Sequence, residues 1–290
     1  MNFIETLING LSMGSTYAMI ALGYTMVYGI AKMLNFAHGD IIMVGGYMIF
    51  VTITATGNPF FGLLFAVVCC VVLGVGIEKV AYKPLRGASP LAVLITAIGV
   101  SYLLQSLAQI IFGTAPKMVN VADLGNLNVA GLTIPIYTLV TLGCSMVIML
   151  TLTLFVKYTR IGRAMIAVSE DKGAAQLMGI NVDGIIMITF AIGSALAAFA
   201  GLFMLMKSPS LTNTLGAMPG IKAFTAAVIG GIGSIPGAML GGILMGVVEA
   251  ISLTIPVIAP YTDAIEFIIL IIILLVRPNG ILGKKRREKV

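Results

Sequence analysis

The sequence contains few residues of the kinds that build catalytic and metal sites. Only 10% of its 290 residues are charged, and His38 is the single histidine. One histidine excludes a multi-histidine metal site and argues against a histidine-based catalytic triad. Cys69, Cys70 and Cys144 lie within apolar runs and lack metal-ligand spacing. They therefore indicate small buried residues rather than a disulfide framework or a redox site.

Nucleotide-binding motifs are also missing. The chain has no GxxxxGK[ST] run, so we expect no ATP binding through a P-loop of its own. The string GIGSIP at 231–236 lacks the last glycine of a dinucleotide fingerprint and has no strand-helix context. We therefore expect neither an enzyme nor a bound cofactor. The net charge of +6 follows from the cytoplasmic loops described below and gives no reason to expect nucleic acid.

Apolar residues dominate what is present. A hydrophobic content of 59% and a mean hydropathy of +1.09 indicate an all-α polytopic membrane protein, organised as a single transmembrane domain over 1–290. Four runs have the length of about 20 residues that a spanning helix requires: Pro59–Ile77, Pro90–Phe112, Ile136–Val156 and Gly184–Met206. The segment Ile4–Ala31 lacks a basic n-region and a cleavage site, so we expect an uncleaved spanning helix. The whole chain predicts eight to nine spans.

The distribution of lysine and arginine predicts the orientation. Loops 79–90 and 157–183, the 32–39 turn and the C-terminus together hold 14 of the 17 basic residues. Basic residues concentrate in cytoplasmic loops, so these segments are predicted to be cytoplasmic and the N-terminus external. The basic tail over 277–290 is expected to face anionic membrane lipid, or simply to retain this topology.

Two regions rich in small residues interrupt the helical pattern. They read KMLNFAHGDIIMVGGY from Lys32 and AFTAAVIGGIGSIPGAMLGG from Ala223. Irregular backbone at membrane depth occurs only where protein buries it or water reaches it, so broken or re-entrant segments suggest a translocation path. A tight interfacial turn for Asn35–Asp40, and a hairpin turn between two full spans for 230–237, remain open. The candidate path residues are Asn35, His38, Gly230, Gly231, Gly233 and Pro236.

Small residues also recur at four-residue spacing, which favours close contact between helices. The repeats are Gly10 and Gly14, Gly237 and Gly241, Gly242 and Gly246, and the series Gly193, Ala197 and Gly201. We expect a closely packed bundle.

Glu249 and Glu266 are acidic residues in the apolar C-terminal third of the chain. Glu249 is either an intramembrane functional site or an interfacial residue near Pro256, and the sequence offers it no obvious buried partner. Glu266, which follows Asp263 near the start of the last apolar run, is expected to be interfacial.

The polar segment from Lys157 to Gly184 reads as a short capped helix. Ser169 is a candidate N-cap for a helix over Glu170–Met178, and Gly179 is placed for a left-handed C-terminal residue. A charged helix held at the membrane surface predicts a docking element for a soluble partner. Its candidate residues are Arg160, Arg163, Ser169, Glu170, Asp171, Gly173, Ala174, Ala175 and Gly179.

Three motifs in order then resemble the permease subunits of ABC importers for branched-chain amino acids, of the LivH type. The matches are Asn35-Phe36-Ala37-His38-Gly39 with the glycines of the first helix, the run from Ala223-Phe224 to Gly241-Gly242, and Arg277-Pro278-Asn279-Gly280-Ile281-Leu282-Gly283. The loop helix resembles the coupling motif of such permeases through Ala174-Ala175 and Gly179-Ile180. It departs from the general pattern because Gly173 stands where a glutamate usually precedes the two alanines.

This resemblance implies a permease driven by separate ATPases. The expected partners are a second permease subunit, two cytoplasmic ATP-binding subunits and a periplasmic or extracellular substrate-binding protein, in a multi-pass assembly of the bacterial cytoplasmic membrane. The implied substrates are leucine, isoleucine and valine. A urea or short-amide permease, a secondary carrier or channel without ATPases, and a membrane scaffold remain as alternatives.

Overall fold

A computed structural model describes residues 3–33, 35–121, 124–129 and 132–283. The helices are α1 Phe3–Ala31, α2 His38–Thr56, α3 Pro59–Ile77, α4 Pro90–Phe112, α5 Ile136–Tyr158, α6 Arg160–Glu170, α7 Lys172–Leu177, α8 Val182–Lys207, α9 Ala217–Gly230, α10 Ile235–Thr254 and α11 Thr262–Val276. Four short strands are β1 Lys117–Met118, β2 Asn126–Val129, β3 Leu132–Pro135 and β4 Ser210–Leu211. The all-α prediction is confirmed, because these strands form only two small antiparallel pairs, β1 with β4 and β2 with β3. The predicted tail contacts of 284–290 lie outside the described residues.

Several helices begin at a capping residue followed closely by proline. The Asn58 side chain accepts a hydrogen bond from the Phe60 amide, and Ser89 accepts one from the Ala92 amide. Pro59 and Pro90 occupy the first position of α3 and α4, where proline costs no hydrogen bond. Each pair of a capping residue and a proline fixes the start of its helix, and both starts coincide with those of the predicted apolar runs.

Within the described residues, seven helices are long and apolar enough to cross a membrane. All four of the predicted runs are among them. The expected eight to nine is not reached by this criterion, because α9 has only 14 residues and α1, although 29 residues long, does not qualify. The polar residues Thr6, Ser12 and Ser15 of α1 are buried against protein.

The spanning helices differ in how much of their surface the chain itself covers. In the most apolar window of α8 61% of the residues are buried, against 11% in the last span. An apolar helix left uncovered in the isolated chain needs lipid or a second subunit around it. This pattern is that of a multi-pass membrane protein.

The chain forms two compact units. The first comprises 1–25, 124–149 and 222–290, and the second comprises 26–123 and 150–221. In the second unit α2, α3 and α8 pack together through small residues. A Cβ on Gly45 would lie 3.2 Å from the Ala198 Cα, and one on Gly201 would lie 2.9 Å from the Ile42 carbonyl oxygen. Glycine is required there because the backbones touch.

The first unit contains an antiparallel contact between α1 and α10. A Cβ on Gly10 would lie 2.9 Å from the Val247 Cα, and one on Gly14 would lie 2.7 Å from the Ile243 Cα. Gly246 in turn meets the backbone of Gly14. The predicted role of these small residues in close helix packing is confirmed.

Candidate functional site

The polar segment between α5 and α8 contains two helices rather than one. Helix α6 begins after Thr159, whose side chain accepts a hydrogen bond of 2.9 Å from the Gly162 amide. Its residues Gly162, Met165 and Val168 are buried, whereas Arg160 and Arg163 are exposed. The sequence reasoning missed α6, although the spacing of Met165 and Val168 is that of a helix face.

The second helix of the segment, α7, is shorter than predicted. Asp171 is its N-cap and accepts a hydrogen bond of 3.0 Å from the Ala174 amide. The prediction that Ser169 caps this helix is wrong, because Ser169 still belongs to α6 and donates to the Ile166 carbonyl. Gly179 does take the left-handed conformation at the C-terminus, with φ of 81°, and the Ile180 amide bonds back to the Ala175 carbonyl.

We call α6 and α7 together the surface helix pair. Most of the residues predicted for docking are exposed on it, namely Arg160, Arg163, Glu170, Asp171, Gly173, Ala174 and Gly179. Ala175 is only 4% exposed and packs inward, so its side chain supports α7 rather than facing a partner. Two apolar side chains that the sequence reasoning did not single out, Leu177 at 90% and Met178 at 83%, are exposed at the end of α7. Such exposed apolar residues on a short charged helix are typical of a protein contact.

Ion pairs stabilise the start of α8, directly after the surface helix pair. Asp183, at the start of α8, pairs with Arg86 and, at 2.9 Å, with Lys83. Arg86 also pairs with Glu78, which follows α3 and is buried. These contacts connect the start of α8 to the loop after α3.

An open pocket of about 560 Å³ lies behind α7. Arg86, Lys172 and Asp183 contribute its charged lining, and Gln176 and Asn181 line it as well. The Lys172 ammonium donates a 2.8 Å hydrogen bond to the Ala31 carbonyl oxygen. Burial lowers the pKa of Lys172 from its usual value, and the Arg86 charge lowers it further.

The turn that contains Asn35 and His38 is buried in the second unit. Asn35 accepts a hydrogen bond of 2.9 Å from the Tyr82 hydroxyl, and the His38 amide bonds to the Asn35 carbonyl oxygen. Asp40 accepts a 2.8 Å hydrogen bond from Gln105. The segment is thus the tight turn of one alternative, and its contact with a translocation path stays a prediction.

The second interruption is a tight helical hairpin. Helices α9 and α10 run antiparallel on either side of 231–234, where Gly231 and Gly233 have φ of 107° and 91°. A Cβ on Gly237 would clash with the backbone of Gly230. The hairpin alternative describes this geometry, except that its first arm, α9, is too short to span. Whether Gly230, Gly231, Gly233 and Pro236 line the route stays a prediction.

The segment after α11 completes this hairpin. The Ile281 amide donates to the Ile229 carbonyl oxygen at 2.8 Å, and the Leu282 amide donates to the Gly230 carbonyl oxygen at 3.0 Å. The last carbonyl groups of a helix have no partner within it, so these bonds satisfy the end of α9. Two of the three motifs that were far apart in the sequence therefore meet within the first unit.

Glu249 has a partner that the sequence reasoning missed. The Lys222 ammonium lies 3.0 Å from Glu249 Oε1, 2.8 Å from Asp263 Oδ1 and 3.3 Å from Glu266 Oε2. The prediction that Glu249 has no obvious buried partner is therefore wrong. Glu266 is fully buried in protein, and its position at the membrane interface stays a prediction. We call these four residues the Lys222 cluster.

These sites fall into separate parts of the chain. Asn35, His38 and the surface helix pair belong to the second unit, whereas the hairpin and the Lys222 cluster belong to the first. Among the described residues, no group of three histidine, cysteine or acidic side chains is arranged to hold a metal ion. Several spanning helices, a glycine-rich hairpin and a charged surface helix pair define the class of a multi-pass membrane permease.

Comparison with known protein families shows to which family the chain belongs. The chain belongs to the family of permease components of branched-chain amino acid transport systems, whose model matches residues 6–274. It is a multi-pass protein of the bacterial cytoplasmic membrane. The resemblance on three motifs is thereby confirmed.

Similar proteins cover the chain almost completely. A high-affinity branched-chain amino acid transport system permease protein, BraD of Pseudomonas aeruginosa, is 43% identical and the match covers 100% of this chain and 98% of BraD. LivH of Escherichia coli K12, a permease protein with the same description, is also 43% identical over 99% of this chain and 98% of its own. A transporter described as a metal-chelate type ABC transporter, in an inward-facing conformation, shares the fold with a TM-score of 0.50 and 14% identity, over 94% of this chain and 85% of that one.

Proposed function

We propose that this chain is the permease subunit of an ATP-driven ABC importer that carries leucine, isoleucine and valine into the cell. The observation that carries this proposal is the surface helix pair in a chain that belongs to the branched-chain amino acid permease family. The similarity to BraD and LivH, both branched-chain amino acid transport permeases, supports the substrate class. Both compact units work in this proposal as one permease domain over 1–290.

The surface helix pair is the proposed docking element for ATP-binding subunits. Leu177 and Met178 supply an apolar contact, and Arg160 and Arg163 supply charge at its edge. Buried apolar side chains surrounded by polar groups carry most of the binding energy of protein contacts, so Leu177 and Met178 are the expected anchors. Ala175 and the Asp171 cap keep α7 in place beneath them.

The proposed assembly contains two cytoplasmic ATP-binding subunits, a second permease subunit and a substrate-binding protein outside the membrane. ATP hydrolysis takes place on the partner subunits, and this chain is not an enzyme. The uncovered apolar surface of several spans supports contacts with lipid and with a second permease. The glycine hairpin at 230–237 is the proposed lining of the route. Its backbone is irregular and Gly233 and Pro236 are exposed, and irregular backbone within a membrane is tolerated where protein buries it or where it borders a cavity.

Reconstitution tests this proposal. The chain would be purified with its native partners, placed in proteoliposomes with ATP inside or outside as the orientation requires, and supplied with binding protein and radiolabelled leucine. We expect ATP-dependent leucine uptake that isoleucine and valine suppress and urea does not. Uptake driven by an ion gradient without ATP would contradict the proposal.

A single variant tests the docking element. Leu177→Asp places a charge in the expected apolar contact, so we expect loss of the ATPase subunits from the purified complex. Leu177→Met keeps an apolar side chain of similar volume and serves as the matched control. Equal recovery of ATPase subunits with both variants would place the docking surface elsewhere.

A further inference from the structure

The Lys222 cluster joins three helices of the first unit through one ammonium group. Lys222 lies on α9, Glu249 on α10, and Asp263 and Glu266 on α11. All three carboxylates lie within 3.3 Å of the Lys222 ammonium. Tyr17 of α1 also faces this group of carboxylates.

Three of the four side chains in the cluster are shielded from solvent, and only Asp263 is exposed. The Glu266 side chain is 0% exposed and that of Lys222 8%, whereas that of Asp263 is 53% exposed. Glu249 Oε2 and Glu266 Oε1 are enclosed by protein and have no hydrogen-bond partner among the described residues. The cluster is therefore a contact between helices and not an open pocket for a solute.

Lys222 is the one cation that the described residues bring within ion-pair distance of these carboxylates. A buried charge is strongly unfavourable unless an opposite charge and hydrogen bonds compensate it. The α9 helix therefore stays where its lysine reaches the carboxylates of both α10 and α11. Any movement of α9 along its axis separates the ammonium from at least one of them.

The C-terminal end of α9 makes backbone contacts of its own. Gly230, eight residues after Lys222, accepts a backbone hydrogen bond from Leu282, and Ile229 accepts one from Ile281. A helix of 14 residues is about 21 Å long, which is less than the apolar thickness of a bilayer, so burial in the membrane alone does not fix its depth. Specific contacts at Lys222 and at the C-terminal end of α9 can fix the position that helix length does not.

We propose that Lys222 is a positioning residue that sets the depth of α9 and, through it, the position of the Gly231–Gly233 turn. The turn follows α9 directly and cannot shift without that helix. The transport consequence rests on the proposed function, in which this turn borders the route. The positional consequence does not, because it concerns only the geometry of the first unit.

Three variants separate positioning from simple charge balance. Lys222→Arg keeps the cation. Glu266→Gln removes one buried carboxylate and keeps the Lys222–Glu249 pair. The triple variant Lys222→Met/Glu249→Gln/Glu266→Gln removes the buried cation together with both buried carboxylates, so it leaves no buried charge unpaired but also no link from α9 to α10 and α11.

The position of the turn is read by thiol labelling. Cys69, Cys70 and Cys144 are first replaced by alanine, and Ile232→Cys, which is partly exposed in the turn, is labelled with a maleimide in the assembled complex. We expect Lys222→Arg and Glu266→Gln to label and transport within about twofold of the parent. We expect the triple variant to assemble and hydrolyse ATP at the basal rate, but to change its labelling rate and lose leucine uptake by about tenfold, as the loss of a buried charge-assisted hydrogen bond would give.

The outcomes distinguish the two proposals. A triple variant that labels and transports like the parent overturns the positioning role, because Lys222 would then only balance charge. A parent complex without ATP-dependent leucine uptake overturns the proposed function, while the labelling rates still test Lys222. If the triple variant fails to assemble, unequal labelling of Lys222→Arg and the parent, with altered uptake, also counts against the inference, since the arginine keeps the link.

Discussion

The ion pairs beside the surface helix pair and those of the Lys222 cluster both link separate segments of the chain, but the first are largely exposed and the second are largely buried. Lys83 and Asp183 have side chains that are 49% and 53% exposed, so water competes for both charges. In the Lys222 cluster the lysine and two of the three carboxylates are enclosed by helices. An exposed ion pair contributes about 0–1 kcal/mol, whereas removing one partner of a buried pair costs about 3–5 kcal/mol.

This difference fits the two proposed roles. Exposed charges suit the proposed docking surface, because their contribution changes little when a partner leaves. Buried charges suit the proposed positioning of a short helix, because displacement leaves them uncompensated.

Reversing one charge in each region should lower stability by very different amounts. Lys222→Glu places four carboxylates together, and we expect loss of folded protein from detergent extracts, since the cost of about 3–5 kcal/mol is a large part of a domain's stability. Lys83→Glu should lower stability by less than about 1 kcal/mol. Heated size-exclusion chromatography measures both. Similar losses for the two variants would remove the contrast.

Closely packed glycines should show the same contrast. Gly246→Leu inserts a side chain where the backbone of Gly14 already lies, so we expect destabilisation of about 2 kcal/mol or more. Gly173→Ala on α7 meets only the Asp171 carboxylate at 3.4 Å and should be tolerated. Yield and thermal midpoint of the purified chain check this. Tolerance of leucine at 246 would show that α1 and α10 do not touch in the membrane.

Arg86 combines the two situations, because it pairs with one buried and one exposed carboxylate. Its partner Glu78 is buried and its partner Asp183 is exposed. Arg86→Gln should destabilise the fold by about 1–3 kcal/mol, because Glu78 loses its charged partner. The double variant Arg86→Gln/Glu78→Gln is the control and should recover most of this loss. Failure to recover would assign the effect to Asp183 instead.

The smallest effect concerns the cap of α7. Asp171→Ala removes the acceptor for the Ala174 amide and should cost about 1 kcal/mol of local helix stability. Ser169→Ala leaves this cap intact and should have little effect. Hydrogen exchange at the amides of α7, read by mass spectrometry, compares the two. Faster exchange in Ser169→Ala than in Asp171→Ala would show that Ser169 is the N-cap of α7, as the sequence suggested.

Much of the fold was predictable from local patterns. Pro59–Ile77 and Pro90–Phe112 were placed to the residue because uncharged apolar runs of spanning length begin and end there. In the structure an asparagine or serine cap and a proline mark the first turn of each helix. The surface helix was placed only approximately, because both Ser169 and Asp171 are suitable caps and only the fold decides between them. The side-chain burial that turns Ala175 inward and exposes Leu177 also depends on what α7 packs against.

The apolar helices, their glycine faces and the family could be predicted from the sequence, because apolar runs, residue spacing and motif order are all visible along the chain. The contacts of Lys222 with Glu249 and Glu266, and those of 281–282 with the end of α9, could be found only in the folded structure. These contacts join residues that are 27 to 52 positions apart. Their physical cause is the need to compensate buried charges and unpaired carbonyl groups, and that need arises only once the helices are packed.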